Sequence, residues 1–324
     1  MQWLRNQPGR LTPYRIGFIV TANAANAITI RFALPCEALR PYVTTYYLTQ
    51  AQTSKSDPLI EDYLHPEWAN LRSISEGWAS AAIGGGPLEP SPAFAVTGPT
   101  SQATRFRIGD RQTQVAGGSW GIGLLPLGWA KLTGASAHAY ADRVADGNAD
   151  PAFDQLRALG PELAKRFNGE PRDFAQDIAL IDEHLTRLLD RPISGAEAIA
   201  AVNAALVDPD VASAAQLADA VGMTLRSLER LSRRAFGFPP KLLLRRQRFL
   251  RCLSQFMLDP SLKWLNTLDT QYHDQAHFVR DFKRFMGMTP RQYAKLDKPL
   301  LIAAAQARMA IAGEAVQGLH DPQG

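Results

Sequence analysis

Guanidinium, ammonium and amide side chains recur at helical spacing in two short segments near the end of the 324-residue chain. In the segment 274–293, the aromatic residues of one helical face are Phe278, Phe282 and Phe285. The cations and the amide that fall on other faces are Gln275, Arg280, Lys283 and Arg284. Such groups donate hydrogen bonds to phosphate oxygens and to base edges. The spacing therefore predicts a short helix with one buried face and one basic face.

The basic charge is concentrated in one quarter of the chain. The net charge of the whole chain is +4, but residues 219–298 hold 16 Lys and Arg against 7 Asp and Glu, a balance of +9. The remainder therefore carries −5. Such asymmetry predicts a polyanionic partner such as nucleic acid, and the alternative is a well-solvated helical surface.

Length and composition predict a folded protein with two domains. A hydrophobic content of 46% argues against disorder. No run approaches about 18 consecutive apolar residues, and the N-terminal segment lacks the order of a signal peptide. We therefore expect a cytoplasmic protein with no membrane partner. Because Cys36 and Cys252 are the two cysteines, we expect neither a disulfide framework nor a cysteine zinc site.

The N-terminal half has the pattern of short strands. Alternating or β-branched runs, separated by Pro, Gly and Asn, cover 15–20, 27–32, 42–48, 94–97 and 104–108. Several short strands with such turns predict a β-sandwich or a small barrel.

Two glycine-rich segments resemble catalytic motifs only in part. After Gly84–Gly86 comes Pro87, where a phosphate-binding loop needs Lys followed by Ser or Thr. The segment 117–121 matches Gly-x-Ser-x-Gly, but a nucleophile elbow needs a helix directly afterwards, and 122–126 is a poor helix start. We therefore predict a glycine-rich hairpin at 117–121.

The histidines do not have the spacing of a metal site. They are His65, His138, His184, His273, His277 and His320. Because no His-x-His or His-Glu-x-x-His occurs, we predict no metal centre, no cofactor and no enzyme activity. His65 and His138 are interpreted as structural or surface residues.

Helical periodicity begins near Pro151. One apolar stripe consists of Phe153, Leu156 and Leu159, and a longer one runs from Phe174 to Leu188. These helices would cover the β domain, couple it to the rest of the chain, or form a dimer seam, and the sequence leaves these roles open.

Residues 213–237 have the caps and lengths of a helix-turn-helix unit. Ser213 and Gln216 form a capping-box pattern that opens a short helix, which ends at Gly222. Thr224 then caps a second helix over 225–236, and a glycine follows it. This order predicts a helix-turn-helix.

The pattern recurs 50 residues later, which indicates an internal duplication. The matching positions are Leu228, Arg230, Arg233, Arg234, Gly237, Pro240 and Lys241 in the first copy and Phe278, Arg280, Lys283, Arg284, Gly287, Pro290 and Arg291 in the second. A helix from Pro240 to about Met257 would join the copies and span about 28 Å. Because successive faces of the major groove recur about every 34 Å, one chain could read two turns of double-stranded DNA.

Residues 213–298 resemble the DNA-binding domain of the AraC/XylS family of bacterial transcription regulators. The positions that match the signature of the family's second unit are Tyr272, Asp274, Gln275, His277, Phe278, Arg280, Phe282, Gly287, Pro290 and Tyr293. In the first unit, Ala218, Gly222 and the segment 226–230 also fit. Thr267 and Gln271 depart from the pattern in the second unit, where the family usually has Ala and Gly. The first unit is therefore the firmer prediction for base reading.

The resemblance implies a role for each polar position of the two helices. The base-reading residues would be Arg226, Glu229, Arg230, Gln275, His277 and Arg280. The residues that contact the DNA backbone would be Arg233, Arg234, Lys241, Lys283 and Arg291. Arg230 and Arg280 could instead clamp a phosphate or a carboxylate, and His277 could be structural.

The N-terminal half resembles the cupin-like sensor halves of one AraC-type subgroup at 40–43, 125–129 and 141–144. The predicted fold class is therefore α+β multidomain, with a β-rich cupin-like N-terminal domain and an all-α C-terminal domain that holds two helix-turn-helix units. The predicted parts are a sensor or dimerisation domain at 1–150, a helical connector at 151–205, the DNA-binding domain at 206–298 and a tail at 299–324. The resemblance implies an unidentified small-molecule effector or a homodimer. Trp120, Trp129 and Tyr140 could line a ligand pocket or belong to the aromatic core.

Three alternatives stay open. The β domain could be a cupin-type enzyme with a vestigial DNA-binding tail. The second unit could contact RNA polymerase or another partner instead of bases. The apolar segment 300–312 could be an amphipathic helix that packs on the β domain.

Overall fold

The N-terminal half is built of antiparallel strands. The computed structural model describes residues 16–22, 27–56, 58–109, 115–168, 173–258, 272 and 275–321. The strands in chain order are β1 (Ile16–Ala22), β2 (Ala27–Ala33), β3 (Val43–Gln52), β4 (Ile60–Leu64), β5 (Asn70–Ile74), β6 (Ala79–Ile83), β7 (Glu89–Pro90), β8 (Phe94–Thr97), β9 (Thr104–Ile108), β10 (Ala116–Leu124) and β11 (Val144–Asp146). The five predicted strands are confirmed, and two of them, at 94–97 and 104–108, have the predicted bounds.

Two sheets face one another. The larger sheet has the order β1-β2-β3-β10-β5-β8-β11, and the smaller has the order β4-β9-β6-β7. Large apolar side chains such as Tyr46, Leu48, Trp120 and Ile122 lie buried in the larger sheet. The predicted β-rich architecture is confirmed.

The hairpin predicted at Gly117–Gly121 is wrong, because these residues lie inside β10, between β3 and β5. A Cβ at Gly121 would lie 1.9 Å from the ring of Tyr47, and one at Gly117 would lie 2.7 Å from Trp78. The glycines therefore make room for aromatic rings instead of forming a turn. A helix does begin at Pro126, whose fixed φ suits the first helical turn. Ser119, however, pairs with Thr49 inside the strand, so it does not stand on a nucleophile elbow.

The remaining chain is mostly helical. The helices are α1 (Pro126–Thr133), α2 (Leu159–Ala164), α3 (Phe174–Thr186), α4 (Ala196–Val207), α5 (Ala214–Ala220), α6 (Leu225–Phe236), α7 (Pro240–Leu258), α8 (Gln275–Met286), α9 (Pro290–Lys295) and α10 (Pro299–Ala312). The longer predicted stripe forms α3 from Phe174 to Leu185, and its last member, Leu188, lies two residues after the helix ends. The stripe at 153–159 is buried as expected, but it spans a 3₁₀ turn (Pro151–Phe153) and the start of α2.

The predicted caps of the first helix-turn-helix are confirmed. Ser213 and Gln216 form a reciprocal capping box at the start of α5. The side chain of Thr224 accepts from the backbone N–H of Ser227 at the start of α6. Gly237 ends α6 in the left-handed conformation, with φ 84°. The local sequence thus sets both ends of α6.

The apolar segment 300–312 forms most of α10, which packs on the β half. Leu300, Ala303, Ala307 and Ile311 join the buried cluster that holds Ile28 and Phe32. By length and composition alone, 299–319 is the one span in the described part of the chain that could cross a membrane. Here the helix ends at Ala312 and its inner face is buried against the sheet. The possibility that this segment is a helix that packs on the β domain is confirmed. The helix is not amphipathic, because Ile302 and Met309 place apolar side chains on its exposed face as well.

Candidate nucleic-acid interface

Helix α6 has a buried apolar side and an exposed basic side. Leu228, Leu231 and Phe236 are at most 6% exposed, while Arg226 and Arg230 are exposed near the start and middle of the helix. A helix in the major groove contacts base edges mainly through its N-terminal residues. The predicted base-reading arginines of the first unit therefore lie on a surface that a duplex can reach.

Glu229 already has a cationic partner on the same helix. Its Oε1 lies 2.9 Å from Nη2 of Arg233, and both side chains are 45% exposed. The pair has i,i+4 spacing, and such exposed pairs are held weakly. Thus a predicted base-reading residue and a predicted phosphate-binding residue neutralise each other in the unbound protein.

Arg234 is exposed and holds the connector to the first unit. Its Nη2 donates to the carbonyl oxygen of Ser194, 3.2 Å away, just before α4. This contact accounts for one of its five N–H groups, so the guanidinium can still donate to a phosphate.

Helix α8 repeats the layout of α6. Both helices have 12 residues and start 50 positions apart. Gln275 and Arg280 are exposed, whereas Phe278 and Phe282 are buried. Gly287 ends α8 with φ 70°, as Gly237 ends α6. The predicted duplication is confirmed for this helix and for the start of α9.

His277 is half-buried against an aromatic ring. Its imidazole meets the ring of Tyr272 edge-on, with centroids 5.2 Å apart. Burial lowers the pKa of His277, which favours the neutral ring at pH 7. His277 therefore packs on Tyr272 and stays partly exposed in the first turn of α8.

Four further cations are exposed beside the two helices. They are Lys241 at the start of α7, Lys283 and Arg284 in the last turn of α8, and Arg291 at the start of α9. The structure therefore leaves the predicted backbone-contacting residues Lys241, Lys283 and Arg291 accessible. Thr267, Gln271 and Asp274, on which the predicted turn of the second unit depends, lie outside the described residues.

A buried carboxylate ties α8 to α7. Asp281 is fully buried, and its oxygens lie 2.5 Å from Arg245 and 3.6 Å from Arg248. The hydroxyl of Tyr272 donates to the same carboxylate at 3.0 Å. Sequence reasoning missed this cluster. A signal existed, because Asp281 occupies the position of buried Leu231 in the duplicated pattern.

Helix α7 also reaches into the β half. The guanidinium of Arg246 is fully buried and lies 3.8 Å from the ring centre of Trp68. It donates to the carbonyl of Thr100 at 2.9 Å. Burial lowers the pKa of Arg246 to about 9, so the group keeps its charge at neutral pH.

The second unit touches the β half independently. The ring Nε2 of His65 lies 2.8 Å from the hydroxyl of Tyr293 in α9, and the backbone N–H of Ala103 donates to the carbonyl of Phe285 at 2.6 Å. The N-terminal half also contacts the first unit, because Nδ1 of His138 donates to the carbonyl of Gly237 at 2.9 Å. Both histidines that were interpreted as structural or surface residues therefore connect the β half to the helical half.

The β half encloses a cavity of about 190 Å³ between its two sheets and α10. Trp120 and Trp129 do not line it, because they belong to the aromatic core, where they are 0% and 1% exposed. Within the part of the chain that is described, no three His, Cys, Asp or Glu side chains cluster as metal ligands.

Comparison with known proteins identifies one domain. Residues 217–296 match the helix-turn-helix domain family of AraC type. No curated protein matches the chain. Two solved structures of ToxT from Vibrio cholerae are similar at 11% and 10% identity, with TM-scores of 0.43 and 0.40. The first comparison covers 77% of this chain and 97% of that one, and the second covers 87% and 96%.

Proposed function

We infer that this chain, whose residues 217–296 form an AraC-type helix-turn-helix domain, is a sequence-specific DNA-binding transcription regulator and not an enzyme. One observation carries the inference. Two helices of equal length, α6 and α8, have exposed cations at the three matching positions 230/280, 233/283 and 234/284 and are joined by the 19-residue α7.

The two helices would enter successive major grooves on one side of a duplex. Helix α7 is about 28 Å long, and with the flanking turns it suits the repeat of about 34 Å between groove faces. Asp281 and Arg245 hold α8 on α7, so the angle of the second helix is set by a buried contact.

We assign base reading first to Arg226 and Arg230 in α6 and to Gln275 and Arg280 in α8. Arginine suits the O6 and N7 edge of guanine, and glutamine suits the edge of adenine. Glu229 would have to release Arg233 before it could accept from cytosine.

We assign contacts with the DNA backbone to five further cations. They are Arg233, Arg234, Lys241, Lys283 and Arg291. Such contacts position the protein on the duplex without specifying the sequence.

We propose that the β-rich half, at 1–150, is a sensor that acts through its contacts with both units. Arg246 links it to α7, and His65 links it to α9. Residues 151–205 would be the connector, 206–298 the DNA-binding part and 299–324 a tail that returns to the sensor. A regulator of this kind works in the cytoplasm, where a small effector, a second copy of the chain or RNA polymerase could act on it.

Selection of bound genomic fragments followed by equilibrium binding tests this function. We expect a recovered site to bind far more tightly than a scrambled duplex of equal length at the same salt concentration. Arg226→Ala should weaken binding to that site by about 1 to 3 kcal/mol and barely change binding to the scrambled duplex. Equal affinity of the unaltered chain for both duplexes would refute sequence-specific binding.

A further inference from the structure

The cavity in the β half has walls from three parts of the chain. The larger sheet contributes Phe32 and Ile74, the smaller contributes Phe106, and α10 contributes Leu301 and Ala304. Most of the lining is therefore apolar. A ligand here would be enclosed by β-strands on two sides and by the C-terminal helix on a third.

Arg308 brings a positive charge to this apolar space. The side chain lines the cavity from α10 and is 7% exposed. Its guanidinium lies 5.2 Å from the ring centre of Phe32, and no described residue accepts from its buried Nη1. Burial lowers the pKa of Arg308 to about 10, so the cation persists at neutral pH. A buried cation without an anionic partner is costly, and a bound anion would remove that cost.

The acidic residue of the described lining, Glu67, is already engaged. Glu67 lies 2.5 Å from Nη2 of Arg72, and each side chain is 13% exposed. Among the described residues, no carboxylate lies within ion-pairing distance of Arg308. The cavity thus holds one balanced ion pair and one cation in excess.

Three more polar atoms of the lining residues are buried without a partner among the described residues. They are Nε1 of Trp78, Oγ1 of Thr104 and Oγ of Ser119. The indole N–H and the two hydroxyls can all donate. Ser119 belongs to the Gly-x-Ser-x-Gly segment, whose glycines admit the rings of Tyr47 and Trp78. That segment therefore has a role in shaping the cavity.

The volume limits the size of the ligand. An apolar cavity of about 150 Å³ is known to accept benzene, and this one measures about 190 Å³. The space suits a single ring or a short branched chain with one charged group. The proposed ligand is therefore compact and not an extended long-chain acid.

We propose that this cavity binds a compact organic carboxylate, with its apolar body between the two sheets and its carboxylate on Arg308. A regulatory role for this ligand rests on the proposed function. Ligand binding itself does not, because it needs no DNA. Arg-carboxylate pairs are strong because two parallel N–H groups can donate to the two oxygens.

The helix that carries Arg308 is continuous with the second DNA-binding unit. Lys298, one residue before α10, donates to the carbonyl of Tyr293 at 2.7 Å. At the start of α10, the carboxylate of Asp62 accepts from the N–H of Leu300 at 2.8 Å and of Leu301 at 3.0 Å. A ligand on Arg308 would therefore act on α10, which only the three residues 296–298 separate from α9.

Calorimetric titration of the full chain without DNA tests the proposal. The probes are benzoate and cyclohexanecarboxylate, each compared with its neutral amide, and palmitate as the long-chain acid. We expect the compact acids to bind about tenfold or more tightly than their amides, because the pair with Arg308 is charged. Palmitate should not compete with benzoate.

Matched variants separate the cation from general effects. Arg308→Met should remove the preference for acid over amide. Arg105→Met should preserve it, because Arg105 lies between the cavity-lining residues Thr104 and Phe106 on β9 and faces the other way. Ala304→Leu should block binding of acids and amides alike, because it fills the cavity without changing any charge.

Equal affinity for acid and amide, or unchanged benzoate binding by Arg308→Met, would overturn the proposal. Tighter binding of palmitate than of benzoate would overturn the proposed size of the ligand. Loss of specific DNA binding with intact benzoate binding would refute the proposed function and leave this site standing. Specific DNA binding without any carboxylate binding would overturn the proposed ligand site and leave the proposed function intact.

Discussion

Nη2 of Arg245 on the long helix α7 lies 2.5 Å from the buried carboxylate of Asp281 on α8. Asp281 is completely inaccessible, and Arg248 and Tyr272 complete its environment. Removal of one partner leaves buried charges without compensation, which is more costly than loss of a surface pair. Helix α8 is therefore oriented by a charge cluster and not by apolar packing alone.

Asp281→Ala should lower the free energy of unfolding by about 3 to 5 kcal/mol. Chemical denaturation measures this loss. The control is Glu183→Ala, which removes the partner of Arg187 in an ion pair whose side chains are 65% and 68% exposed, and it should cost less than about 1 kcal/mol. Equal losses in the two variants would contradict the role assigned to the buried cluster.

The contact between Arg246 and Trp68 should couple the two halves of the protein. Trp68 is 1% exposed, so Trp68→Ala should cost about 3 to 5 kcal/mol. A double-mutant cycle with Arg246→Met should give a coupling energy of about 0.5 to 3 kcal/mol, since the groups touch. Strictly additive losses would show that the stacked pair does not link the β half to α7.

Asp62 should make stability fall as pH rises. Burial raises the pKa of this carboxyl to about 6, above a value of about 3.9 in the unfolded chain. Between these values the folded state binds the extra proton, so the contribution of Asp62 is largest below pH of about 4 and is lost as pH rises through about 6. The size is about 1.4 kcal/mol for each unit of pKa difference.

Asp62→Asn removes this titration but keeps a polar group at the start of α10. Denaturation from pH 4 to pH 7 measures the unfolding free energy of both proteins. That of Asp62→Asn should rise steadily relative to that of the unaltered chain as the pH increases. His65 titrates in both proteins and cancels in the difference. Parallel curves would contradict the raised pKa.

Glu229→Gln should release Arg233 for contact with phosphate. We expect tighter binding to a scrambled duplex. The slope of log affinity against log salt concentration should become steeper by about one, because one more counterion is released. The control is Glu183→Gln, which alters an i,i+4 ion pair on α3 by the same charge. If both variants gain equally, the effect is due to net charge and not to Arg233.

Local signals predicted the elements, because they depend on residues near one another in sequence. Ser213, Thr224 and Gly237 set the ends of α5 and α6 through caps and a left-handed glycine. The repeated spacing located α8 and its exposed cations. Strand bounds such as 94–97 followed from β-branched runs between turns.

Contacts between distant parts of the chain were not predictable in the same way. His65 and Tyr293 are 228 positions apart, and nothing in either local sequence indicates the other. The glycines of β10 interrupt the alternation of apolar and polar residues that indicates a strand, so a central strand was mistaken for a hairpin. Arg308 had no recognisable signal, because an arginine in an apolar helix becomes significant only when the cavity beside it is known.

Footprinting with hydroxyl radicals on a selected site distinguishes reading by two helices from reading by one. We expect two protected patches on one face of the duplex, separated by about one helical turn of 10 to 10.5 base pairs. Arg226→Ala should weaken the patch beneath α6, and Arg280→Ala the patch beneath α8. Protection confined to a single turn, unchanged by Arg280→Ala, would contradict reading by two recognition helices in one chain.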